Sequence, residues 1–283
     1  MLNKINKVLN NKKILRKISK QTNFKNNKRF FILSFDCDNS EDPNAILSFL
    51  PFLEKNNVPA VFAVPGMNLL ENQKKYKEIH SCGYEFINHG FLKHVNPTNS
   101  KSITFYNEMS KEDVRNDIIN GHNTIKKVLN YTANGFRAPH FGYVQNKSDL
   151  SFLYETVANL NYTYCTTTMP DYAIKNGSII KVSEKLFEFP LSGQYNFPYR
   201  ILDSYTSFYK RKNKAAGKKK YIKNLKKAIN FYADNKLACI LNYYVDPSHI
   251  LDFEDFFQTL LYAIKKGFKM SNYSQIINPY DQE

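Results

Sequence analysis

Short apolar runs alternate with amphipathic segments along most of this 283-residue chain. The apolar runs are rich in aromatic and β-branched side chains, which is typical of buried strands. They are residues 30–35, 59–64, 84–88, 162–166, 179–182, 187–191 and 239–245, with a short strand at Phe136. The segments between them predict helices at 42–56, 72–82, 110–130, 147–160 and 253–266, with 110–130 the longest. Asp42 before Pro43 is typical of a helix start. Strands that alternate with helices in this way indicate an α/β fold with a parallel sheet.

Polar side chains follow several of the predicted strands. They are Asp36 and Asp38, His89, Arg137, and Asp246 with His249. The carboxyl ends of parallel strands meet on one face of a closed α/β barrel and along one edge of an open sheet. The pattern therefore predicts a shared site at these ends in either architecture.

The length and an apolar fraction of 42% fit a folded globule with a sizeable core. We interpret residues 30–283 as a single domain and residues 1–29 as a basic N-terminal extension.

Within residues 1–20, apolar side chains recur among lysines at roughly helical spacing. This predicts a basic amphipathic helix, which can lie on an anionic membrane surface or dock on its own domain. Residues 21–29 are predicted to be a polar linker.

The net charge of +15 is concentrated in two segments. Residues 1–29 and 204–233 each carry ten Lys or Arg and no acidic residue, which leaves a net charge of −5 on the rest of the chain. We therefore predict no basic active-site face and no nucleic-acid partner. The two segments favour contact with phosphate groups or an anionic membrane. For residues 210–227, a solvated helix face is the alternative.

The spacing of the cysteines bears on metal binding, and the apolar runs and the N-terminal residues bear on cellular location. Cys37, Cys82, Cys165 and Cys239 are far apart and form no CxxC pair, so a structural zinc site of thiolates is not expected. No apolar run reaches the roughly 18 residues of a transmembrane helix, and the N-terminus lacks the apolar core of a signal peptide. We predict a cytoplasmic protein that can also lie at the inner face of the cell membrane.

Asp38, His89 and His94 provide the donor set of a catalytic metal site. One carboxylate and two imidazoles leave coordination positions open for water and substrate, and this mixed set suits several divalent cations. Asp36 is then a free carboxylate that can accept a proton, and Arg137 can hold it ionised and oriented. The alternatives are solvated carboxylates that cap the next helix and a surface ion pair for Arg137.

Three motifs resemble those of a known family. Ser-Phe-Asp-Cys-Asp at 34–38, Asn-His-Gly-Phe at 88–91 and Gly-Phe-Arg-Ala-Pro at 135–139 are similar, in order and rough spacing, to the first three motifs of the NodB-homology polysaccharide deacetylases, carbohydrate esterase family four. Residues 59–66 and 187–191 also resemble strands of that family. The likeness spans 30–191 well and reaches 278 more loosely.

The resemblance implies a distorted (β/α) barrel and a divalent metal, usually zinc, that serves the removal of N- or O-acetyl groups from sugars. It implies Asp36 as the catalytic base, Asp38, His89 and His94 as metal ligands, and Arg137 as the residue that steers Asp36. In the family the metal polarises the acetyl carbonyl as well as the water. The two histidines are five residues apart here, whereas four is usual in the family.

The chain also departs from the family pattern after residues 239–245. Members often have His-Pro there, and the histidine acts as general acid. This chain has Asp246-Pro247, with His249 after them. Either His249 protonates the leaving group, or Asp246 does so with a raised pKa, or the step is lost. We favour His249, because an imidazole is matched to neutral pH.

These features predict a metal-dependent deacetylase that acts on an N-acetylated amino sugar in the assembly of a surface polysaccharide or lipopolysaccharide. The substrate is expected to be carried on a nucleotide or a lipid diphosphate. One alternative is a hydrolase of another C–N bond, such as a formamide or a cyclic amide. The other is a catalytically inactive, glycan-binding relic.

Overall fold

The computed structural model describes the backbone of residues 2–22, 24, 27–96 and 103–281, and the side chains of 10–22, 24, 27–96 and 103–278. The strands are β1 (Arg29–Asp36), β2 (Val61–Val64), β3 (Glu85–Asn88), β4 (Gly135–Phe136), β5 (Tyr164–Cys165), β6 (Ile180–Lys181), β7 (Phe187–Glu188), β8 (Gly193–Gln194), β9 (Phe197–Ile201), β10 (Cys239–Val245) and β11 (Lys269–Met270). The α-helices are α1 (Leu2–Thr22), α2 (Asp42–Lys55), α3 (Gly66–Glu71), α4 (Gln73–Ser81), α5 (Lys111–Leu129), α6 (Lys147–Ala158), α7 (Pro170–Asn176), α8 (Lys214–Asp234), α9 (Glu254–Lys265) and α10 (Tyr273–Asp281).

Among the described residues, nine strands form one sheet in the order β10-β1-β2-β3-β4-β5-β7-β6, with β11 beside the start of β1. The neighbours are parallel, apart from the antiparallel pair of β6 and β7. Strand β1 lies between β10 and β2, and its residues from Phe30 onward are buried. Both faces of such a strand are covered, so its sequence is a continuous apolar run and not an alternating one.

Polar contacts join strand β10, at one edge of the sheet, to the chain after β7, near the other edge. Asn242 in β10 donates from Nδ2 to the carbonyl oxygens of Phe189 and Pro190, at 2.9 and 3.2 Å, just after β7. The backbone N–H of Ser192 in turn donates to the carbonyl oxygen of Asn242 at 2.9 Å. The sheet is therefore curled into a distorted (β/α) barrel, as the sequence predicted.

Each predicted strand and helix has a counterpart, with its ends moved by a few residues. The hairpin of β8 and β9, strand β11 and the helices α3, α7 and α10 were not predicted, because most of them are too short for a clear periodicity. The prediction that 110–130 is the longest helix is wrong. Helices α1 and α8 have 21 residues each and α5 has 19. Helix α8 continues beyond the lysine-rich stretch 210–227 to Asp234, and Phe231 and Tyr232 in this last part are buried.

Helix α1 packs on the barrel along residues 10–22. Ile14, Leu15 and Ile18 are buried within the main apolar core. Asn11 donates from Nδ2 to the carbonyl oxygen of Asn196 at 2.8 Å. This part of the helix thus docks on its own domain, one of the two placements that the sequence allowed. Within the described ranges, no helix combines the length and the apolarity needed to cross a bilayer.

Docking of α1 can be tested by stability. Leu15→Ala should lower the free energy of unfolding by about 2–5 kcal/mol, because it leaves a cavity in a packed core. Chemical denaturation of purified protein measures this loss. Lys17→Ala is the matched control on the exposed face of the same helix, and it should change stability by no more than about 0.5 kcal/mol. Equal stabilities of the Leu15 and Lys17 variants would show that α1 adds nothing to the core.

Candidate active site

One cleft of about 400 Å³ opens at the carboxyl ends of the strands. Its lining includes Asp36, Asp38, His89, Asp246 and His249. The sequence-predicted residues after β1, β3 and β10 are therefore brought together, as a parallel sheet requires. Arg137 and His94, the other two predicted residues, are fully buried directly behind this lining.

Asp38, His89 and His94 form a compact cluster in which the candidate ligand atoms lie within 4.8 Å of one another. Asp38 Oδ1 is 3.7 Å from His89 Nε2 and 3.0 Å from His94 Nδ1. The two imidazole rings are nearly perpendicular, with centroids 4.4 Å apart. The structure thus places all three predicted ligands around one point, His94 included.

The loop between the histidines accommodates the five-residue spacing through contacts with two helices. Gly90 has a φ of +78°, and its carbonyl oxygen accepts from Gly66 N at the start of α3. Asp117 in α5 accepts from the backbone N–H groups of Phe91 and Leu92, at 3.1 and 2.8 Å. These bonds fix the path of the loop, so the extra residue does not displace His94 from Asp38.

The cluster fits a divalent cation. His89 Nδ1 donates to the carbonyl oxygen of Arg137 at 2.7 Å, which leaves the lone pair on Nε2, the nitrogen nearest to Asp38. Burial lowers the pKa of His89 well below its usual value, so this imidazole is neutral and can act as a ligand. His94 Nε2 is buried and has no hydrogen-bond partner among the described residues. One carboxylate oxygen and two imidazoles are a donor set typical of zinc and related ions.

Asp36 is held by Arg137. The guanidinium donates from Nη1 to Asp36 Oδ1 at 2.5 Å, and Arg137 is 0% exposed. The alternative of a surface ion pair for Arg137 is therefore wrong. Burial raises the pKa of Asp36 to about 6, although the charge of Arg137 acts in the opposite direction. Asp36 can therefore gain and lose a proton close to neutral pH.

Asp38 differs from Asp36 in its environment. Burial by itself raises the pKa of Asp38, but His94 and then His89 outweigh it, and the pKa is lowered below its usual value. Asp38 is therefore ionised at neutral pH, as a metal ligand must be. The two carboxylates of one Asp-Cys-Asp motif are thus suited to different tasks, one to proton transfer and one to binding a cation.

Asp246 and His249 form a second polar group in the cleft. His249 Nδ1 lies 3.3 Å from Asp246 Oδ2 and 2.9 Å from the hydroxyl of Ser204. Burial raises the pKa of Asp246 well above its usual value. Burial, assisted by the charge of Lys214, lowers the pKa of His249 to about 4. The Asp246 carboxyl therefore keeps its proton to a higher pH than a free carboxyl, and the His249 imidazole loses its proton at a lower pH than a free imidazole.

Residues 23–159 match the family model of the polysaccharide deacetylases. This segment belongs to the polysaccharide deacetylase family. The match includes the motifs with Asp36, Asp38, His89, His94 and Arg137, which confirms the resemblance. Membership of this family supports a hydrolase of acetyl or amide groups. A search of curated proteins found no significant match to the sequence.

Solved structures share the deacetylase-family fold at low sequence identity. A provisionally assigned polysaccharide deacetylase from Mycobacterium smegmatis is 17% identical with a TM-score of 0.67, covering 92% of this chain and 93% of that one. The PuuE allantoinase is 9% identical with a TM-score of 0.61, covering 92% of each chain. BA3943 from Bacillus anthracis, a family-four pseudoenzyme, is 14% identical with a TM-score of 0.56, covering 88% of this chain and 66% of that one. At such identities the likeness establishes the fold alone.

Asp42 connects two loops of the cleft. Its Oδ2 accepts from Asn39 N at 2.8 Å, and its Oδ1 accepts from Ser248 N at 2.9 Å. The loop after β1 is thereby joined to the 3-10 turn Pro247–His249. The sequence placed Asp42 at the start of α2, which is correct, but its bond to Ser248 spans 206 residues and has no local signal.

Two pairs of aromatic side chains line the cleft. Phe105 packs against Tyr143, and Tyr205 packs against Tyr209 in a π-helical segment (Tyr205–Tyr209). The Tyr209 ring stacks on His249, with centroids 3.7 Å apart. Aromatic rings of this kind can pack against the apolar face of a sugar. The sequence did not single out these four residues.

Metal binding tests the His94 assignment. Titration calorimetry with Zn²⁺ should show one ion bound per wild-type chain, and His94→Gln should weaken binding by at least about tenfold because a ligand is lost. His122→Gln in α5 is the matched control, since this histidine bonds Tyr162 away from the cleft. Binding by the His94 variant equal to that of wild type would remove His94 from the ligand set.

Proposed function

We propose that this protein is a zinc-dependent hydrolase that removes an N-acetyl group from an amino sugar during the assembly of a surface glycan. One observation carries the proposal: the carboxylate of Asp36, which is not one of the three candidate metal ligands, lies beside their cluster. His89 Nε2 is 3.9 Å from Asp36 Oδ2 and 3.7 Å from Asp38 Oδ1. This arrangement suits hydrolysis of an unactivated amide.

Asp38, His89 and His94 would hold the cation. When bound, it would polarise the acetyl carbonyl and make a nearby water more acidic. Asp36 accepts a proton from the attacking water, and its pKa of about 6 leaves it ionised at neutral pH. Arg137 keeps the carboxylate in place through the bond to Oδ1.

Cleavage of the C–N bond requires a proton on the departing amine. We assign this proton to the Asp246–His249 pair, with Asp246 as its carrier, because the pKa of Asp246 is raised and that of His249 is lowered to about 4. This proposal replaces His249, which the sequence favoured as the general acid, with Asp246. His249 then accepts from Asp246 or orients it, at 3.3 Å.

The central test is acetate release from N-acetylglucosamine oligomers and from a nucleoside-diphosphate N-acetylglucosamine, measured by NMR. Wild-type protein with Zn²⁺ should release acetate, and chelation should abolish the release. Asp36→Asn should lower kcat by at least about 100-fold, since it removes the general base. The matched control is Asp234→Asn, an exposed residue paired with Lys266, which should retain full activity. Activity that survives chelation or the Asp36 variant would refute the mechanism.

The substrate is proposed to carry a diphosphate. Lys210 lines the cleft, and Lys214 Nζ lies 4.6 Å from the centre of the Tyr209 ring. Both belong to the basic segment 204–233, which contains no acidic residue. A sugar packed against the tyrosines would place a linked diphosphate within reach of these ammonium groups. Nucleotide and lipid carriers share this diphosphate.

Lys210→Ala tests the diphosphate. It should lower kcat/KM for the nucleoside-diphosphate sugar by about tenfold, because a hydrogen bond to a charged group is lost, and leave the neutral oligomers unaffected. Lys265→Ala on the exposed face of α9 is the control. A lipid-diphosphate-linked sugar in a parallel assay distinguishes the two carriers. An equal effect on neutral and charged substrates would exclude a diphosphate contact at Lys210.

Three expectations concern partners and location. We propose contact with an anionic membrane through basic residues of α1 and α8, a cytoplasmic location, and no nucleic-acid partner. Charged residues concentrated on two helices support the membrane contact. Binding to vesicles with and without anionic lipid would measure it.

A second candidate is a hydrolase of another C–N bond. The shared fold with the PuuE allantoinase favours it. The same NMR assay separates the two, because formate or a ring-opened product would appear in place of acetate. An inactive relic would release no product and would purify without stoichiometric metal.

A further inference from the structure

We propose that Tyr273 is a positioning residue for the base Asp36 and that it acts through Arg137. Tyr273 is the first residue of α10, close to the C-terminus and outside the segment 23–159 that matches the family. The inference rests on the proposed function, because it takes Asp36 as the base.

Arg137 is bound on two sides. Nη1 donates to Asp36 Oδ1 at 2.5 Å, and Nη2 donates to Ser34 Oγ and to the Tyr273 hydroxyl, both at 2.8 Å. Ser34 and Tyr273 are 0% exposed, so water does not replace either contact. Arg137 Nε is buried without a partner among the described residues. The orientation of the guanidinium therefore depends on the contacts of its two terminal nitrogens.

The direction of each hydrogen bond follows from the groups involved. A guanidinium only donates, so the Tyr273 oxygen accepts from Arg137 and its own proton is free to go elsewhere. That proton goes to Asn242 Oδ1 at 2.8 Å. Asn242 Nδ2 then donates to Thr166 Oγ1 at 3.1 Å and to Phe189 O at 2.9 Å. The hydroxyl of Tyr273 thus links Arg137, which holds the proposed base Asp36, to Asn242, which joins β10 to the chain after β7.

The ring of Tyr273 is held independently of its hydroxyl. It stacks on Tyr164, with centroids 4.7 Å apart, and meets Phe189 edge-on at 5.0 Å. Tyr273→Phe would therefore keep the packing and remove a single oxygen. Arg137 Nη2 would keep one partner of two, and Asn242 Oδ1 would lose its donor.

Tyr273→Phe should lower kcat by about tenfold and leave KM within twofold, because a misplaced base slows chemistry more than binding. Zn²⁺ affinity should not change, since Tyr273 contacts none of the three candidate ligands. In the Arg137→Ala background the same substitution should not lower kcat any further, because its effect on Asp36 passes through Arg137. A purely structural role would lower activity equally in both backgrounds.

Tyr221→Phe is the matched control. Tyr221 is 1% exposed, and its hydroxyl has no hydrogen-bond partner within the described part of the chain. It lies in α8, and Tyr221→Phe should leave kcat unchanged. The comparison therefore separates loss of a buried tyrosine hydroxyl in general from loss of the hydroxyl that contacts Arg137.

Two results would overturn the inference in an active enzyme: an unchanged kcat for Tyr273→Phe, or an equal loss with and without Arg137. If wild-type protein releases no product from any substrate, the proposed function fails and a crystal structure of Tyr273→Phe decides the inference. We expect the Arg137 guanidinium to turn away from Asp36 Oδ1. An unmoved guanidinium would overturn the role of Tyr273 independently of activity.

Discussion

The buried ion pair of Arg137 and Asp36 is the interaction on which the site depends. A fully desolvated guanidinium is costly unless its hydrogen bonds are made. Asp36, Ser34 and Tyr273 accept from it, and the rings of Phe141 and Tyr244 lie 5.7 and 5.5 Å from its centre. Removing the carboxylate would leave a buried charge without its counter-ion, at a cost of about 3–5 kcal/mol. The same pair that orients the proposed base is therefore also structural.

Burial sets the chemistry of the neighbouring groups. It raises the pKa of Asp36, whereas the two histidines lower that of Asp38. It raises the pKa of Asp246 and lowers that of His249. The pKa values of neighbouring groups are thus moved apart within one cleft, and such separation is how acid and base roles are assigned at a single pH.

Contacts between distant segments hold this cleft together. Asp42 joins the loop after β1 to the turn that carries His249. Asn242 joins β10 to the chain after β7, and Asp117 fixes the loop between His89 and His94. The cleft is therefore assembled from both halves of the chain, although the family match covers only residues 23–159.

Sequence alone determined the α/β class, most helices and strands, and the strand-end residues that share the cleft. Those features follow from periodicity and from the parallel order of strands, which are local or nearly so. Only the tertiary structure decided that Arg137 is buried, that His94 reaches Asp38 despite its spacing, and that burial shifts the pKa values of Asp246 and His249 in opposite directions. It also placed the hydroxyl of Tyr273 against Arg137 and joined Asp42 to Ser248. Burial and long-range hydrogen bonds depend on which segments meet in space, and no local pattern in the chain records that.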